Sequence, residues 1–243
     1  MPLLKGEASG TSEYETVFIN PEMEKTNGKS HGARVRRYRE SDRPAIRRLC
    51  CDTGFLGNPI DPVFHDREIF ADLFTGPYLE READWAFVAE VDGKVVGYLL
   101  GSVCKWFDLM QMRNGLPIAS KTVGKLLTGR YASHPRSKRF VRWLLTTGYW
   151  EQPKHPAGAA HLHFNLQNEY RGRGIARRLW EAYEERLHAA GVKECYGSFF
   201  SHPRRRPEQA YARYGFSVFD RRRTTLFHPE MRDVEIVCMC RKL

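Results

Sequence analysis

The sequence predicts an α+β (mixed α/β) domain, and three observations predict it. Two apolar runs, "WAFVAEV" (85–91) and "VVGYLLGSV" (95–103), flank Asp92-Gly93-Lys94, a strong hairpin signal. A strand-like run at 160–166 leads into a helical stripe of Ala176, Leu179, Trp180, Tyr183 and Leu187. Two further extended runs, "FSVFDRRRTTLF" and "DVEIVCMC", close the chain as an antiparallel pair. Hairpins mixed with crossover helices exclude a doubly wound parallel sheet.

The 243 residues, 42% of them hydrophobic, are enough for one substantial core. Residues 1–32, rich in Gly, Ser, Glu and Lys, read as a flexible N-terminal extension. Residues 33–243 read as a single domain. Val35 and Tyr38 mark a short first strand. Ser41 reads as the N-cap of the helix that follows, with Asp42 in its first turn, Pro44 near its start, and Ile46, Leu49 and Cys50 on its apolar face. "CDTGFLGNPIDP" is a turn-rich loop. "DREIFADLF" is an amphipathic helix carrying Ile69, Phe70, Leu73 and Phe74. The hairpin comes next. Residues from about 104 to 158 then form a helical insertion between the third and fourth strands, rich in aromatic residues (Trp106, Phe107, Tyr131, Trp143, Tyr149, Trp150) that read as packing a small core of their own.

"AHLHFNL" (160–166) alternates, with Leu162, Phe164 and Leu166 on one face and His161, His163 and Asn165 on the other. The long helix spans about 173–190 and stops at Gly191. "ECYGSFF" is the fifth strand, and "PEQAYARY" is a short helix ended by Gly215.

A formal net charge of +10 attracts anions in general and does not choose among nucleic acid, acidic protein, membrane surface and phosphorylated cofactor. The six cysteines (50, 51, 104, 195, 238, 240) include no C-x-x-C pair, so they read as reduced thiols of a cytoplasmic protein, with no metal expected. No signal-peptide core and no run of ~20 apolar residues is present, so no membrane partner is expected. Arginine triplets at 204–206 and 221–223 lack interleaved aromatics, so nucleic acid is not the expected partner either.

The chemistry concentrates in "EYRGRGIARRLW" (169–180). A strand, a glycine loop and a helix start together make an anion site. The first helical turn has unpaired N–H groups and a partial positive charge, and glycines let backbone approach a phosphate. The spacing fits neither G-x-G-x-x-G nor a P-loop.

Arg171-x-x-Gly174-x-Ala176 resembles the R/Q-x-x-G-x-G/A signature of the GNAT acetyltransferases, with Asn168 at that family's usual proline. "YRESDRPAIRRL", "FVAEVDGKVVGYLLG" and "AYARYGF" resemble its other landmarks in order. The resemblance covers about residues 34–103 and 160–220. It implies a GNAT fold, a central mixed and mostly antiparallel sheet flanked by helices. It also implies acetyl-CoA (coenzyme A) as acyl donor. In that reading the backbone of Phe164, Asn165 and Leu166 holds the thioester and pantetheine arm. The loop Arg171, Gly172, Arg173, Gly174, Ile175 and Ala176, with Arg177 just inside the helix, takes the diphosphate. Tyr211 protonates the departing thiolate. The family's N-x-x-A ahead of that tyrosine is replaced by "RRRP" (204–207), whose arginines read either as reaching the cofactor's 3′-phosphate or as a solvated charge cluster. "CDTGFLGNPID", "DLFTGPYLE" and "HLHFNL" resemble more closely the acetyltransferase-like domains related to the C-terminal part of O-GlcNAcase, some of which are thought to have lost the cofactor.

An ammonium acceptor titrates near ~10.4, so a base must take its proton. His163 is the candidate, on the strand that meets the cofactor, with His161 on the same face; Asp52 and Asp108 are weaker ones. The function expected is acetyl-CoA-dependent transfer of an acetyl group directly to an amine of a small molecule or protein. The alternative is a catalytically inactive acetyltransferase-like module that binds a partner or ligand. A homodimer through the insertion is compatible with either.

Overall fold

The computed structural model describes residues 32–243. Apart from Gly32, the expected N-terminal extension lies outside the described residues. Seven strands form one sheet: β1 (Arg34–Arg37), β2 (Ala86–Val91), β3 (Lys94–Ser102), β4 (Ala160–Leu166), β5 (Glu194–Ser201), β6 (Ser217–Arg223) and β7 (Glu235–Lys242). The helices are α1 (Arg43–Thr53), α2 (Arg67–Arg81), α3 (Phe107–Leu127), α4 (Pro135–Leu145), α5 (Ile175–Ala189) and α6 (Glu208–Ala212). The strand order is β1-β2-β3-β4-β5-β7-β6. Every neighbouring pair is antiparallel except β4–β5, which is joined through α5. The mixed α+β class, with helices between the third and fourth strands, is the one the sequence predicts.

Local chemistry explains the boundaries. Asp92 (φ 49) and Gly93 (φ 73) both take the left-handed conformation that a two-residue hairpin turn needs, and Val91 pairs with Lys94 across it. The start of α1 differs from expectation. A 3₁₀ turn at Glu40–Asp42 precedes it, and the capping position is Asp42 rather than Ser41. Asp42 accepts from the Arg39 N–H and from both terminal nitrogens of Arg36, at 2.7 and 2.9 Å. That doubly bonded arginine ties β1 to the helix start, a stronger claim on the turn than a hydroxyl cap. Helix α2 also runs further than expected, through Gly76 and Pro77 to Arg81.

The two sheet faces carry separate cores. On one, α5 lays Leu179, Trp180, Tyr183 and Leu187 against Val96, Leu99, Leu162 and Leu166. Tyr183 lies where Gly101 of β3 has no side chain: a Cβ there would stand 2.3 Å from the ring. The Tyr183 hydroxyl donates to the His161 carbonyl at 3.1 Å. On the other face, α1 and α2 pack with the inserted helices. Phe107, Tyr131, Phe140 and Trp143 join this shared core instead of forming one of their own. Asp66 is the anchor. It caps α2 through the Ile69 N–H and also accepts from Lys125 of α3 and the Tyr131 hydroxyl, at 2.7 and 2.8 Å. The outer side of α3 keeps Leu109, Met112, Leu116, Val123 and Leu127 exposed, spaced along one helical stripe. Among the described residues no helix is long and apolar enough to cross a membrane.

The Gly101–Tyr183 fit yields a stability prediction. Gly101→Val overfills the space under the ring and should lower unfolding free energy by about 1–3 kcal/mol. Chemical denaturation checks it. An unchanged denaturation midpoint would mean that α5 is positioned by something else.

Candidate functional site

The parallel pair β4–β5 is hydrogen-bonded over two residue pairs only, Ala160↔Cys195 and His161↔Tyr196. Beyond them the strands part, while β4 continues to Leu166 along β3 and β5 to Ser201 along β7. Gly197 marks the last close approach, since a Cβ there would sit 3.1 Å from the Leu162 side chain. The facing edges of Leu162–Leu166 and Gly197–Ser201 thus bound a wedge whose backbone groups have no strand partner among the described residues. Phe164, Asn165 and Leu166 line it, and its wide end opens on the glycine loop.

There the chain turns through Gly172 (φ 77) and Gly174 (φ 76), and α5 begins at Ile175. Left-handed backbone of this kind costs an L side chain ~1–2 kcal/mol. A Cβ on Gly174 would meet nothing within 4 Å, so the space in front of the helix start is open. The free N–H groups of the first turn face that opening, an arrangement that accepts phosphate oxygens. The loop arginines divide by partner. Arg171 turns inward, its Nε donating to the Leu166 carbonyl at 3.2 Å, and burial lowers its basicity. Arg173 lies over the Tyr170 ring. Arg177 pairs with Glu181 one turn along the helix. Arg178 reaches the Ala33 carbonyl at 2.8 Å.

At the narrow end, His161 and His163 stand side by side on the face opposite α5. His161 is stacked on Phe107 with Tyr196 at its edge, ring centroids 4.6 Å away in each case, and its Nδ1 meets the Tyr78 hydroxyl at 2.5 Å. His163 donates from Nδ1 to the Phe74 carbonyl at 2.9 Å. Its Nε2 accepts from Asn165 at 3.2 Å, and the same amide donates to the Tyr98 hydroxyl at 2.7 Å. Burial pushes His161 down to about 3 and His163 to about 4, so both rings are neutral at pH 7. A proton reaches the lone pair of His163 only if Asn165 turns aside. The weaker base candidates are also engaged. Asp52 pairs with Arg67, and Asp108 with His155, whose ring stacks on Tyr196 at 4.5 Å.

Tyr211, from α6, stacks on Phe199 of β5 with ring centroids 4.8 Å apart. Burial raises its hydroxyl pKa, so it stays protonated, and that hydroxyl has no hydrogen bond among the described residues. Arg205 of the "RRRP" segment lies against Gly57 on the far side of the wedge. Tyr78, Tyr98, Phe107 and Tyr196 complete the narrow end; they are scattered over four elements, and no local pattern in the sequence marks them. Among the described residues no cluster of His, Cys, Asp and Glu could hold a metal ion.

Residues 146–225, which span β4, the loop, α5, β5 and α6, match the family model described as the acetyltransferase (GNAT) domain. The fold is the GNAT fold. Among solved structures the chain is similar to SsHAT, with 24% identity and a TM-score of 0.55 over 87% of this chain and 98% of that one. It is similar to the polyamine N-acetyltransferase of Drosophila melanogaster, with 12% identity and a TM-score of 0.54 over 87% and 100%. It is also similar to an N-acetyltransferase from Staphylococcus aureus Mu50, with 12% identity and a TM-score of 0.53 over 87% and 99%. No curated protein matches the chain. The wedge offers an open strand edge, an unobstructed helix start, and two half-buried arginines, Arg171 and Arg205, that pair with no carboxylate among the described residues, a donor set suited to an anionic ligand.

The two neutral histidines set a pH dependence. Their folded values lie below the ~6.5 of an unfolded histidine, so as pH falls through ~6.5 the unfolded chain binds protons first. Stability is therefore complete above ~6.5, declines down to about 4, and stops declining on their account below about 3. His163→Gln should flatten the melting temperature between pH ~6.5 and ~4.5 relative to wild type. Parallel curves for the two proteins would mean that His163 is not held neutral.

Proposed function

We propose that the protein is an acetyl-CoA-dependent N-acetyltransferase that moves the acetyl group directly to an amine of a small molecule or protein. The observation that supports it most is the wedge between β4 and β5, which runs from the paired histidines to the open start of α5. Bound acetyl-CoA would supply an activated acetyl group as its thioester.

The chain's own residues do the rest. Backbone groups of Phe164–Leu166 hold the extended arm as an added strand would be held. The first-turn N–H groups of α5 with Arg171 take the diphosphate. Tyr211 keeps its proton and donates it to the sulfur as the C–S bond breaks. A strand N–H stabilises charge on the carbonyl oxygen. The acceptor approaches on the face of β4 that carries His161 and His163. Its amine nitrogen bonds to the acetyl carbon, and its proton leaves through water; His163, the base candidate, is held to about 4 by burial with both nitrogens bonded, which makes it a poor acceptor for that proton. The segments 51–61 and 72–80, which carry the likeness to the O-GlcNAcase-related domains, supply the Gly57 turn and the Phe74 and Tyr78 contacts. The third matching segment, 161–166, is β4 itself with His161 and His163, and the cytoplasm is the compartment that suits the reduced cysteines.

Two measurements test the reading. Ligand that binds only the native state must raise its stability, so millimolar acetyl-CoA should raise the melting temperature. Gly174→Val should abolish that shift while the protein stays folded, because the new side chain enters open space in front of the helix. No shift with the wild type would leave the non-catalytic module as the reading. Tyr211→Phe should lower kcat by about 10–100-fold, with KM for acetyl-CoA nearly unchanged, in a thiol-release assay over a panel of amines. An unchanged kcat would remove Tyr211 from the mechanism.

A further inference from the structure

Three segments distant in sequence meet at the wide end of the wedge. The first is the turn Phe55–Asn58, closed by its own two-way bridge at 2.9 and 2.8 Å and by the Gly57 N–H to the Thr53 carbonyl. The second is the 166–171 segment. Asn168 donates to the Gly57 carbonyl at 3.0 Å, and Arg171 is held to the Leu166 carbonyl. The third is the turn after β5, where His202 and Arg205 exchange backbone hydrogen bonds at 3.0 and 2.7 Å. This turn aims the Arg205 side chain under Gly57. The contact is close enough that a Cβ on Gly57 would fall 2.0 Å from the Arg205 Nη1, so only glycine admits the guanidinium there.

Arg205 is half-buried, yet it has no hydrogen bond or ion pair from its side chain among the described residues. Arg36, Arg47, Arg67, Arg139 and Arg241 each have a carboxylate. Through the Asn168–Gly57 bond this turn lies beside the 166–171 segment, whose Arg171 likewise has no carboxylate among the described residues. Loss of water, with added repulsion from Arg171, pushes Arg205 down to about 10, still charged at neutral pH. Like charges brought together out of water are unfavourable unless an anion joins them.

We propose that Arg205 and Arg171 form a two-guanidinium clamp, roofed by the Gly57 turn, that grips a doubly charged phosphate or diphosphate group in the cleft. Two forked donors beside a helix start call for more than the single charge of a carboxylate. The clamp deepens the acetyltransferase reading and rests on it for the identity of the ligand: the group gripped is the diphosphate of coenzyme A. It also gives the "RRRP" departure a purpose. The amide contact that the usual asparagine makes is exchanged for charge, and only the middle arginine of the three turns inward under Gly57.

The experiment separates the clamp from the reading it rests on. Wild type, Arg205→Ala and Arg205→Lys are titrated with coenzyme A, 3′-dephospho-coenzyme A, pantetheine and inorganic pyrophosphate by calorimetry and thermal shift. Wild type should bind coenzyme A and its dephospho form alike, and pyrophosphate detectably. Arg205→Ala should weaken all three by about 10–100-fold, the scale of a charged hydrogen-bonding pair, and leave pantetheine unchanged. Arg205→Lys, which keeps the charge without the fork, should fall between. Without ligand, Arg205→Ala should melt no lower than wild type, because it removes an unpaired charge; a structural arginine would behave oppositely. Equal coenzyme A affinity in wild type and Arg205→Ala overturns the clamp and leaves the acetyltransferase reading standing. Loss confined to the 3′-phosphorylated form overturns the diphosphate assignment. Arg205-dependent pyrophosphate binding in a protein that ignores coenzyme A keeps the clamp and removes the reading.

Discussion

Two residue pairs of parallel strand, Ala160↔Cys195 and His161↔Tyr196, are what the rest of this structure turns on. In a sheet otherwise antiparallel, this junction alone must be bridged by a crossover helix. That helix has to start where β4 ends. Its free N–H groups therefore face the gap that the parting strands leave, and Tyr183, seated over Gly101, fixes its height along the sheet. Had β4 and β5 paired along their full lengths, the same residues would have closed the sheet and spent the backbone groups that a ligand needs. The opening, the helix terminus and the arginine-bearing turns are consequences of one interrupted ladder.

The wedge is electrically uneven from end to end. At the narrow end the polar side chains are neutral: His161 and His163 are held unprotonated among aromatic rings, with each His163 nitrogen bonded. At the wide end two guanidinia sit half out of water with no carboxylate partner among the described residues. A ligand with an uncharged reacting group and an anionic tail matches that polarity. The chain's excess of positive charge does not by itself select such a ligand; the arrangement of a few desolvated groups does.

The element order was legible in the sequence because it rests on local periodicity and turn chemistry. Asp92-Gly93 fixes the hairpin, the stripe from Ala176 to Leu187 fixes α5, and the glycines at 172 and 174 fix the loop. What was not legible depends on pairing at a distance. Nothing local says that β7 inserts between β5 and β6, or that Arg36 would claim Asp42 and displace Ser41 from the cap. Nor does the chain announce that the aromatic residues of the insertion share a core with α1 and α2. The site divides the same way. The loop was visible as a motif, whereas Gly57, Asn168 and Arg205 come from three separate segments and gain meaning only where they touch. His163 was legible as a residue on the right strand, but its bond to Asn165 and its lowered basicity come from burial that alternation alone cannot measure.

The position of β7 has a consequence for how the cleft comes into being. One wall of the wedge, β5, is secured on its outer side only by β7, the last element in chain order, which also carries β6. During synthesis from the N-terminus, β1 to β4 can zip together as successive neighbours. The β5 wall must wait for residues some forty positions further on, and its closure is a long-range, slow kind of contact. The binding cleft is thus among the last features of the domain to form. A chain interrupted in the 224–234 connection would keep the loop motif intact in sequence while losing the wall that faces it.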